Sequence, residues 1–460
     1  MDNALLEELY SLYLAHPVVT TDTRVLTAGA IFFALKGANF DGNKFAADAL
    51  SAGCAAAVVD DAAMAVGNEK MILVPDVLDA LQRLAALHRF RLGLPVVEIT
   101  GTNGKTTTKE LCAAVLSRKY RVLYTEGNLN NHIGVPRTLL RLTSEHEIAV
   151  IETGANHPGE IRDLAAIVQP DAGLITNVGM AHIEGFGSFE GVVNTKCELY
   201  DQLRKTGGYV FLHADDEILA ARSAELPCET YGSPASGATV QGEAVQGETF
   251  LRLRWRVSEG SWHDTPMQLI GAYNTPNALA AIAVGVRYGV SESDIEAALA
   301  EYKPTNNRSE LRRTANNDLI VDAYNANPTS MAAALQNFAS IPHPHKRVIL
   351  GEMRELGAST RQAHQEVLEQ LRTMNLESVW LVGEAWPAAG ACAEAVVDSV
   401  QTAPNLVQTA ADTLQSDATY SLFSDVNAVR AEIEQCKPDG CLILIKGSNG
   451  TRLFTLPDAL

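Results

Sequence analysis

The sequence predicts an α/β protein built from three domains. Apolar runs of strand length alternate with amphipathic runs of helix length along most of the chain, which is typical of parallel sheets covered by helices. The chain has 460 residues, which is enough for about three domains of ordinary size. We place a small N-terminal α/β domain at 1–92, a central phosphate-loop-type ATPase domain with a mainly parallel sheet at 93–302, and a C-terminal Rossmann-like domain at 303–460.

The first domain opens with an amphipathic helix over residues 3–15, because Leu5, Leu9 and Leu12 share one helical face. The last helix of the domain has Asp76 as a suitable N-cap. Between them the alternation predicts strands over Ala30–Leu35, Ala55–Val59 and Met71–Val74, and helices over Phe45–Leu50 and Asp76–Phe90. The domain is expected to end near Leu92.

The central domain is predicted from continuous apolar runs, which are typical of strands buried on both faces of a parallel sheet. One segment, Glu248–Val257, alternates instead and predicts a half-exposed antiparallel strand added at the edge of the sheet. The predicted strands are Pro95–Ile99, Ile148–Glu152 and Gly173–Thr176, and the predicted helices are Lys109–Lys119, Asn277–Tyr288 and Glu292–Glu301.

The polar run Lys303–Asn307 is the best linker candidate in the chain. After it the alternation predicts a second doubly wound unit. Its strands are expected over Leu319–Asp322, Arg347–Gly351, Val379–Val382 and Leu442–Ile445, and its helices over Pro328–Ala339, Arg361–Met374 and Val426–Gln435.

Composition excludes several classes of function. Hydrophobic residues make up 47% of the chain and charged residues 20%, as in globular proteins. The net charge of −19 argues against general nucleic-acid binding, although a local basic pocket for an anionic substrate stays open. The seven cysteines show no Cys-x-x-Cys spacing, so we expect reduced thiols in a cytoplasmic protein rather than disulfides or zinc. We find neither a signal peptide nor a membrane-spanning run.

The segment Thr100–Thr108 carries the strongest chemical signal. A buried strand, a glycine loop, a lysine, a hydroxyl and a helix follow one another, and this order is suited to a polyphosphate. Backbone N–H groups of the loop, Lys105 and the helix N-terminus supply positive potential, and Thr106 offers a hydroxyl to Mg²⁺. The strict phosphate-loop pattern has four residues between its first glycine and the Gly-Lys pair, and here only Thr102 and Asn103 intervene. A plain glycine turn is the alternative.

Polar residues also follow other strands, where ligands of open α/β sheets collect. Glu152 is either a magnesium ligand beside the loop or a solvated carboxylate, and His182 is either functional or structural. Lys196 by itself would be a surface lysine. The asparagine-rich turn after Asp322 either binds a nucleotide sugar or caps the helix that follows. Arg308 either reaches a phosphate or pairs with a surface acid.

Taken together, these motifs resemble the Mur ligases, the ATP-dependent amide-forming enzymes of peptidoglycan synthesis. The resemblance extends over essentially the whole chain. Its motifs are Thr21–Arg24, Gly29–Gly42, Thr100–Thr108, Gly127–Pro136, Glu152–Glu160, Thr176–Glu184, Asp322–Met331 and Gly351–Gly357. Asp322–Met331 and Gly351–Gly357 point most strongly to the members that extend the tripeptide precursor.

The resemblance implies a reaction. ATP would phosphorylate the terminal carboxylate of UDP-N-acetylmuramoyl-tripeptide, and the amine of D-alanyl-D-alanine would attack the acyl phosphate to form an amide. The enzyme would need two magnesium ions and a Lys196 carbamylated by CO2, because an ammonium is a poor metal ligand. We expect a monomer without nucleic-acid or membrane partners. The identity of the third peptide residue stays open.

The resemblance also implies roles for individual residues. Lys105, His182 and Lys196 would be catalytic. Metal ligands would be Thr106, Glu152, His182 and Lys196. The nucleotide would contact Gly101, Thr102, Asn103, Gly104, Lys105, Thr106, Thr107, Asn274, Asn277, Arg308 and Asp322. The other substrates would contact Thr23, Arg24, Asn128, Asn130, Asn131, Asn325 and Asn327.

Three alternatives remain open at the level of the sequence. The chain could be another amino-acid-adding Mur ligase, or a ligase similar to folylpolyglutamate synthetase, which shares the ATP loop. It could also be a nucleotide-binding scaffold without ligase activity. Phosphate release that depends on both the UDP-tripeptide and the dipeptide would separate them.

Overall fold

The computed structural model describes residues 1–245, 249–390, 395–397 and 418–460. Three large groups of secondary-structure elements follow one another along the chain, each built on its own sheet. This arrangement confirms the predicted fold class. Within the described residues no helix is long and apolar enough to cross a membrane, and the described cysteines form no disulfide. Cys392 lies outside the described residues.

The N-terminal group contains a four-stranded parallel sheet in the order β1-β2-β5-β6 and a separate two-stranded ribbon, β3-β4. Asp76 caps α4 as predicted, since its side chain accepts a hydrogen bond from the Asp79 N–H. The elements are α1 Asn3–Ala15, β1 Val19–Thr20, β2 Ile31–Phe33, β3 Lys36–Gly37, β4 Phe40–Asp41, α2 Ala46–Ser51, β5 Ala56–Val59, α3 Ala62–Ala65, β6 Met71–Leu73 and α4 Val77–Leu92.

The central group is built on a nine-stranded sheet in the order β15-β14-β13-β12-β11-β10-β7-β9-β8, parallel except where β14 pairs with β13 and β15. Its first elements are β7 Val96–Thr100, α5 Lys105–Leu116, β8 Val122–Tyr124, α6 Gly134–Leu139, β9 Ile148–Glu152, α7 Glu160–Val168, β10 Ala172–Ile175, α8 Ile183–Phe186 and α9 Phe189–Thr206. They are followed by β11 Tyr209–His213, α10 Glu217–Arg222, β12 Cys228–Gly232, β13 Val240–Ala244, β14 Phe250–Val257, β15 His263–Ile270, α11 Thr275–Arg287 and α12 Glu292–Glu301.

The C-terminal group contains a sheet in the order β16-β17-β22-β18-β19-β21-β20, in which β16 alone runs antiparallel to its neighbour. The elements are β16 Glu310–Arg313, β17 Asp318–Asp322, α13 Pro328–Ser340, β18 Lys346–Gly351, α14 Thr360–Arg372, β19 Ser378–Val382, α15 Ala385–Ala388, β20 Ala395–Val397, β21 Thr419–Phe423, α16 Val426–Gln435 and β22 Leu442–Lys446.

Most predicted elements are confirmed within one or two residues, and two predictions were wrong in detail. Helix α5 begins at Lys105 rather than Lys109, because Gly104 adopts a left-handed conformation that starts the helix directly after the loop. Strand β14 was predicted at the sheet edge, but β15 pairs along its outer side and takes that position. Glu248, the predicted first residue of that strand, lies outside the described residues.

The first two groups share one hydrophobic core. Side chains of α1 and α4, including Tyr13 and Leu84, pack in the same cluster as Leu139 of α6 and Ile151 of β9. Polar contacts reinforce the boundary, since the Tyr13 hydroxyl donates to the Leu140 carbonyl at 2.6 Å. The N-terminal sheet is thereby held against the central sheet, and the carboxyl ends of the central strands face a cavity.

Candidate functional site

The loop between β7 and α5 has a backbone that only glycine can form. Gly101 has φ +142°, and a Cβ there would lie 2.0 Å from Oγ1 of Thr176. Gly104 has φ +79°, and a Cβ there would lie 2.5 Å from Oδ1 of Asn277. Both positions therefore require a residue without a side chain, because of the backbone conformation and because a Cβ would not fit. The loop passes directly over its neighbours and leaves its outer side free for a ligand.

The segment after β10 holds this loop in shape. The Thr102 N–H donates to the Asn177 carbonyl at 3.0 Å, and the Asn103 N–H donates to Oδ1 of Asn177 at 3.0 Å. The Thr176 hydroxyl donates to the Asn103 carbonyl at 2.6 Å. Two adjacent strand ends thus fix the loop before any ligand arrives, which lowers the conformational cost of binding.

Lys105 is the first residue of α5, and its ammonium folds back over the loop. Nζ donates to the carbonyls of Gly101 at 2.8 Å and Thr102 at 3.0 Å. Burial lowers the pKa of Lys105 to about 8, an effect that Glu152 opposes and Arg308 reinforces. A phosphate at this position would return the pKa toward its ordinary value by supplying negative charge.

Glu152 ends β9 beside the loop and is buried, so the solvated-carboxylate alternative is wrong. Its Oε1 accepts hydrogen bonds from Oγ1 of Thr106 at 3.2 Å and from Nδ2 of Asn130 at 2.8 Å. Its Oε2 is buried and has no hydrogen-bond partner among the described residues. A buried carboxylate oxygen without a partner, next to a threonine hydroxyl, has the donor chemistry that Mg²⁺ prefers. These residues therefore fit a magnesium ion.

Lys196 lies in α9 and is only 3% exposed, so it is not a surface lysine. Its Nζ lies 3.5 Å from the Ala155 carbonyl and 5.4 Å from the centre of the Phe186 ring. Burial lowers the pKa of Lys196 to about 7, and the charge on Lys105 contributes in the same direction. Part of the Lys196 population is therefore a neutral amine near neutral pH.

His182 precedes α8 in a left-handed backbone conformation, with φ +52°. Its Nδ1 contacts the carboxylate of Glu355, which belongs to the C-terminal group. Burial lowers the pKa of His182, and Glu355 opposes that shift. Among the described residues no three His, Cys, Asp or Glu side chains form a ready metal cluster. A metal here would need ligands from the substrates or from a modified side chain as well.

The C-terminal group supplies a second side of the cavity. The Arg308 guanidinium stacks on Tyr324, with Cζ 3.9 Å from the ring centre. Its buried Nε has no hydrogen-bond partner in the part of the chain that the structure describes. Asp322 accepts from Nζ of Lys446 at 2.5 Å. The carboxyl ends of the two sheets therefore face each other across the same space.

The asparagines on the nucleotide side form a chain of amides. The Thr108 hydroxyl donates to Oδ1 of Asn277 at 3.1 Å, and Nδ2 of Asn277 donates to Oδ1 of Asn274 at 2.8 Å. Nδ2 of Asn274 donates in turn to the Ile270 carbonyl at 2.8 Å. This chain links α5 to α11 beneath Gly104.

Most of the residues singled out in the sequence lie around one cavity of about 890 Å³. The cavity is lined by Gly101, Thr102, Asn103, Gly104, Lys105, Thr107, Asn128, Asn130, Asn131, Glu152, His182, Lys196, Asn274, Asn277, Arg308, Asp322 and Asn325. Thr106 lies beneath its wall. Asn327 caps α13 with its side chain, as the capping alternative expected, and its Nδ2 also donates to Oδ1 of Asn103 at 2.7 Å.

Thr23 and Arg24 are not among the described residues that line the cavity, and neither are Thr106 and Asn327. Arg24 is exposed and its guanidinium pairs with Asp22 at 2.7 Å, two residues away. Sequence reasoning also missed residues that the structure places at the site. Lys446 lines the cavity although it is 1% exposed, and Glu355 reaches His182. A lysine at the carboxyl end of a buried strand is the signal that identifies Lys446.

Comparison with known proteins assigns the family. Three models match the chain in order: the Mur ligase family catalytic domain over residues 17–89, the Mur ligase middle domain over 99–285 and the Mur ligase glutamate ligase domain over 307–449.

Two relatives carry the same printed name, UDP-N-acetylmuramoyl-tripeptide–D-alanyl-D-alanine ligase. The protein of Escherichia coli (strain K12) is 38% identical over 374 residues, which are 80% of this chain and 81% of the relative. The protein of Bacillus subtilis (strain 168) is 35% identical over 440 residues, which are 95% of this chain and 91% of the relative.

Solved structures agree. A crystal structure of MurF from Acinetobacter baumannii has a TM-score of 0.81 at 30% identity and covers 97% of this chain and 96% of its own. The MurF ligase of Thermotoga maritima in complex with ADP has a TM-score of 0.80 at 25% identity and covers 100% of this chain and 98% of its own. With three ordered family matches and relatives similar over nearly its whole length, the chain belongs to the Mur ligase family.

Proposed function

We propose that this chain is the ATP-dependent ligase that joins D-alanyl-D-alanine to the terminal carboxylate of UDP-N-acetylmuramoyl-tripeptide in peptidoglycan precursor synthesis. The observation that carries the proposal is the cavity, where the glycine loop, Lys105 and Glu152 of one sheet face Arg308 and Asp322 of the other. Similarity to ligases of that name over most of the chain supports the choice of substrates.

The chemistry occurs in two transfers. A carboxylate oxygen of the tripeptide attacks the γ-phosphorus of ATP, and the bond to ADP breaks. The free amine of the dipeptide then attacks the acyl carbon, and phosphate leaves as the amide forms. Both transfers bring anionic groups together, so positioned positive charge supplies much of the acceleration.

The nucleotide would lie between the two large sheets. Lys105 and the backbone N–H groups of residues 101–107 would hold the phosphates. Arg308 would approach the phosphates from the C-terminal group. Asn274 and Asn277 would face the base, and Asp322 the ribose. The unpartnered Nε of Arg308 supports this proposal, because a buried guanidinium nitrogen needs an acceptor that a phosphate would supply.

Two magnesium ions would neutralise charge on the transferred phosphoryl group when bound. Thr106 and Glu152 would hold one ion, and the free Oε2 of Glu152 supports that assignment. His182 and Lys196 would hold the second. Lys196 needs a modification for this role, since an ammonium cannot ligate a cation.

We propose that Lys196 is carbamylated. The neutral amine attacks the carbon of CO2, an N–C bond forms, one C=O electron pair moves onto oxygen, and the nitrogen loses a proton. The product is an anion with oxygen ligands. The burial of Lys196 and its pKa of about 7 support this step. A density map of the magnesium-bound enzyme with a bare Nζ turned away from the cavity would refute it.

The peptide substrates would occupy the rest of the cavity. Asn128, Asn130 and Asn131 would contact the UDP-linked peptide, and Asn325 and Asn327 the dipeptide. Thr23 and Arg24 would serve the uridine end. The three peptide residues of this substrate, if extended, span roughly 10 Å by themselves. We therefore expect the uridine end to bind away from the reacting carboxylate and outside the cavity.

The test is a coupled assay of phosphate release with a mass measurement of the product. We expect release only when ATP, Mg²⁺, the UDP-tripeptide and D-alanyl-D-alanine are all present, with the product heavier by one dehydrated dipeptide. Turnover with a single amino acid in place of the dipeptide would assign the chain to another Mur ligase activity. Nucleotide binding without turnover on any acceptor would support the scaffold alternative.

A further inference from the structure

One polar contact joins the C-terminal group to a residue of the candidate metal site. His182 lies before α8 of the central group, and Glu355 lies in the loop after β18 of the C-terminal group. The Glu355 carboxylate contacts Nδ1 of the imidazole. The His182 side chain is 29% exposed and that of Glu355 is 59% exposed, so solvent reaches the contact, and of the two residues it is His182 that lines the cavity.

The backbone at both partners has an uncommon conformation. His182 has φ +52° and Glu355 has φ +64°, and neither residue is a glycine. Left-handed backbone at such residues costs of order 1 kcal/mol or more and persists only where the surroundings hold it. An incidental surface pair would not need this conformation on both sides, since exposed ion pairs are worth little.

The contact belongs to a broader meeting of the two groups. A Cβ added at Gly357, two residues beyond Glu355, would lie 3.7 Å from Cβ of Glu184 in α8. Across the cavity, Asn327 of the C-terminal group donates to Asn103 of the glycine loop at 2.7 Å. The loop that carries Glu355 therefore rests on the element that His182 begins.

The contact with Glu355 decides which nitrogen of the His182 imidazole carries the proton. A carboxylate that accepts the Nδ1–H holds the ring in one tautomer, and Nε2 then carries a lone pair. Histidines that bind metals commonly donate their other ring N–H to a carboxylate, which fixes ring orientation and raises ligand basicity. The bonding of His182 at Nδ1 leaves Nε2 as the nitrogen available to the cavity.

We propose that Glu355 is a positioning residue that acts across the domain boundary, holding the His182 imidazole through Nδ1 with Nε2 free for ligation. The proposal rests on the proposed function for its catalytic consequence. Its structural part, the tautomer, stands independently. Correct orientation of His182 then requires the C-terminal group to be docked against α8, which links domain closure to the competence of the site.

The experiment compares Glu355→Ala and Glu355→Gln with the matched control Glu184→Gln, an exposed carboxylate on α8. Long-range ¹H–¹⁵N spectra of ¹⁵N-histidine-labelled enzyme, assigned with His182→Gln, report the tautomer. We expect the Nδ1–H form in the wild type, the control and Glu355→Gln, whose amide oxygen still accepts a hydrogen bond from Nδ1–H. We expect a shift toward the Nε2–H form in Glu355→Ala.

Activity supplies the second readout. We expect kcat of Glu355→Ala to fall by about 10- to 100-fold, the range seen for carboxylates behind metal-bound histidines, with the KM for the UDP-tripeptide within about twofold. Glu355→Gln should recover most of kcat. An unchanged tautomer and unchanged kcat in Glu355→Ala, or equal loss in both variants, would overturn the proposal. Absent turnover in the wild type would contradict the proposed function, and the spectra would still decide whether Glu355 sets the tautomer.

Discussion

Three cationic side chains at the cavity form no ion pair with a carboxylate among the residues that the structure describes. Lys105 donates only to loop carbonyls, Lys196 lies near a carbonyl and a ring, and Arg308 stacks on Tyr324. Burying such groups is costly unless a ligand supplies the missing charge. The depressed pKa values of Lys105 and Lys196 are the signature of that cost in the free protein. The site is therefore prepared for a polyanion at the level of single residues.

Lys105→Ala tests this directly. Removing the ammonium deletes an electrostatic interaction that strengthens as negative charge develops on the phosphates. We therefore expect the rate of amide formation to fall by more than about 100-fold. Binding of the UDP-tripeptide, measured by calorimetry, should stay within about threefold. Lys205→Ala, an exposed lysine of the same domain, is the control. Equal loss of turnover and UDP-tripeptide binding would make Lys105 a structural residue.

Glu98 of β7 gives a prediction about pH and stability. Its side chain is fully buried, and Oε1 accepts a hydrogen bond from the Thr153 hydroxyl at 2.8 Å. Within the described residues Oε2 has no hydrogen-bond partner. Burial raises the pKa of Glu98 to about 8 from the ordinary 4.5. Between these pH values the folded chain holds a proton that the unfolded chain has released, so stability falls as pH rises across the window.

We expect Glu98→Gln to remove that dependence. The unfolding free energy of the variant minus that of the wild type should increase by on the order of 2–3 kcal/mol as the pH rises from 5.5 to 8.5. Scanning calorimetry at several pH values measures the difference. Parallel stability curves for the two proteins across this range would show that Glu98 does not titrate there.

The glycine loop and the start of α5 form a single continuous element. Strand β7 ends at Thr100, the loop turns through two positive-φ glycines, and the helix begins at Lys105. The free N–H groups of the first helical turn then point to the place where the loop leaves space. Anion binding at this end follows from helix geometry, and the shape of the loop also depends on its bonds to Thr176 and Asn177 after β10.

Gly104→Ala tests the space that the element requires. The added Cβ would lie 2.5 Å from Oδ1 of Asn277, so Asn277 must move and its 3.1 Å bond with Thr108 is lost. We expect ATP affinity to fall by about tenfold or more, since the backbone conformation is strained as well.

Gly207→Ala is the matched control for that variant. Gly207 also has a positive φ, +74°, and no atom lies within 4 Å of an added Cβ. This control has the strained backbone conformation but no steric clash, and it lies outside the glycine loop. Its ATP affinity should therefore match that of the wild type. Similar ATP affinities in both variants would mean that the contact with Asn277 does not matter. Fluorescent nucleotide titration measures both.

On the scale of the whole molecule, the first two groups are joined by a large shared core. The third shares a smaller apolar contact, since Ile270 of β15 packs in the C-terminal hydrophobic cluster, and its connecting segment is held by polar bonds. Helices α1 and α4 pack in one hydrophobic cluster with the central sheet. The segment leading to the C-terminal group is held by polar bonds to α5, where the Glu110 carboxylate accepts from the Tyr302 hydroxyl at 2.6 Å and from Nδ2 of Asn306 at 3.0 Å. Polar interfaces of this kind suit relative domain movement.

Tyr302→Phe should loosen the attachment. The loss of one hydrogen bond to a carboxylate costs roughly 1–2 kcal/mol, and we expect the KM for ATP to rise about three- to tenfold because Arg308 and Asp322 lie beyond the linker. UDP-tripeptide affinity should stay near wild type. Tyr120→Phe, which loses a 2.7 Å bond to the Tyr288 carbonyl within the central group, is the control. An ATP KM that rises equally in both variants would contradict a hinge role.

Much of the fold was predictable because its signals are local. Apolar runs, Asp76 as a cap and the segment Thr100–Thr108 each depend on neighbours in the chain. Strands of three to five residues carry little periodicity, so some of that length were predicted and others, such as β8, β16 and β21, were missed. The eight-residue β15 was missed as well. The start of α5 was placed too late because the left-handed conformation of Gly104 is a property of the folded loop.

The sequence by itself determined the α/β class, the glycine loop between a strand and a helix, and the family resemblance, because each depends on residues that are close in the chain. Only the tertiary structure decided that Lys196 is buried, that Oε2 of Glu152 has no partner, and that Glu355 meets His182. Burial and pairing of these side chains depend on elements that are far apart in the chain and come together only when strands, helices and domains pack. The same packing leaves Thr23 and Arg24 outside the cavity.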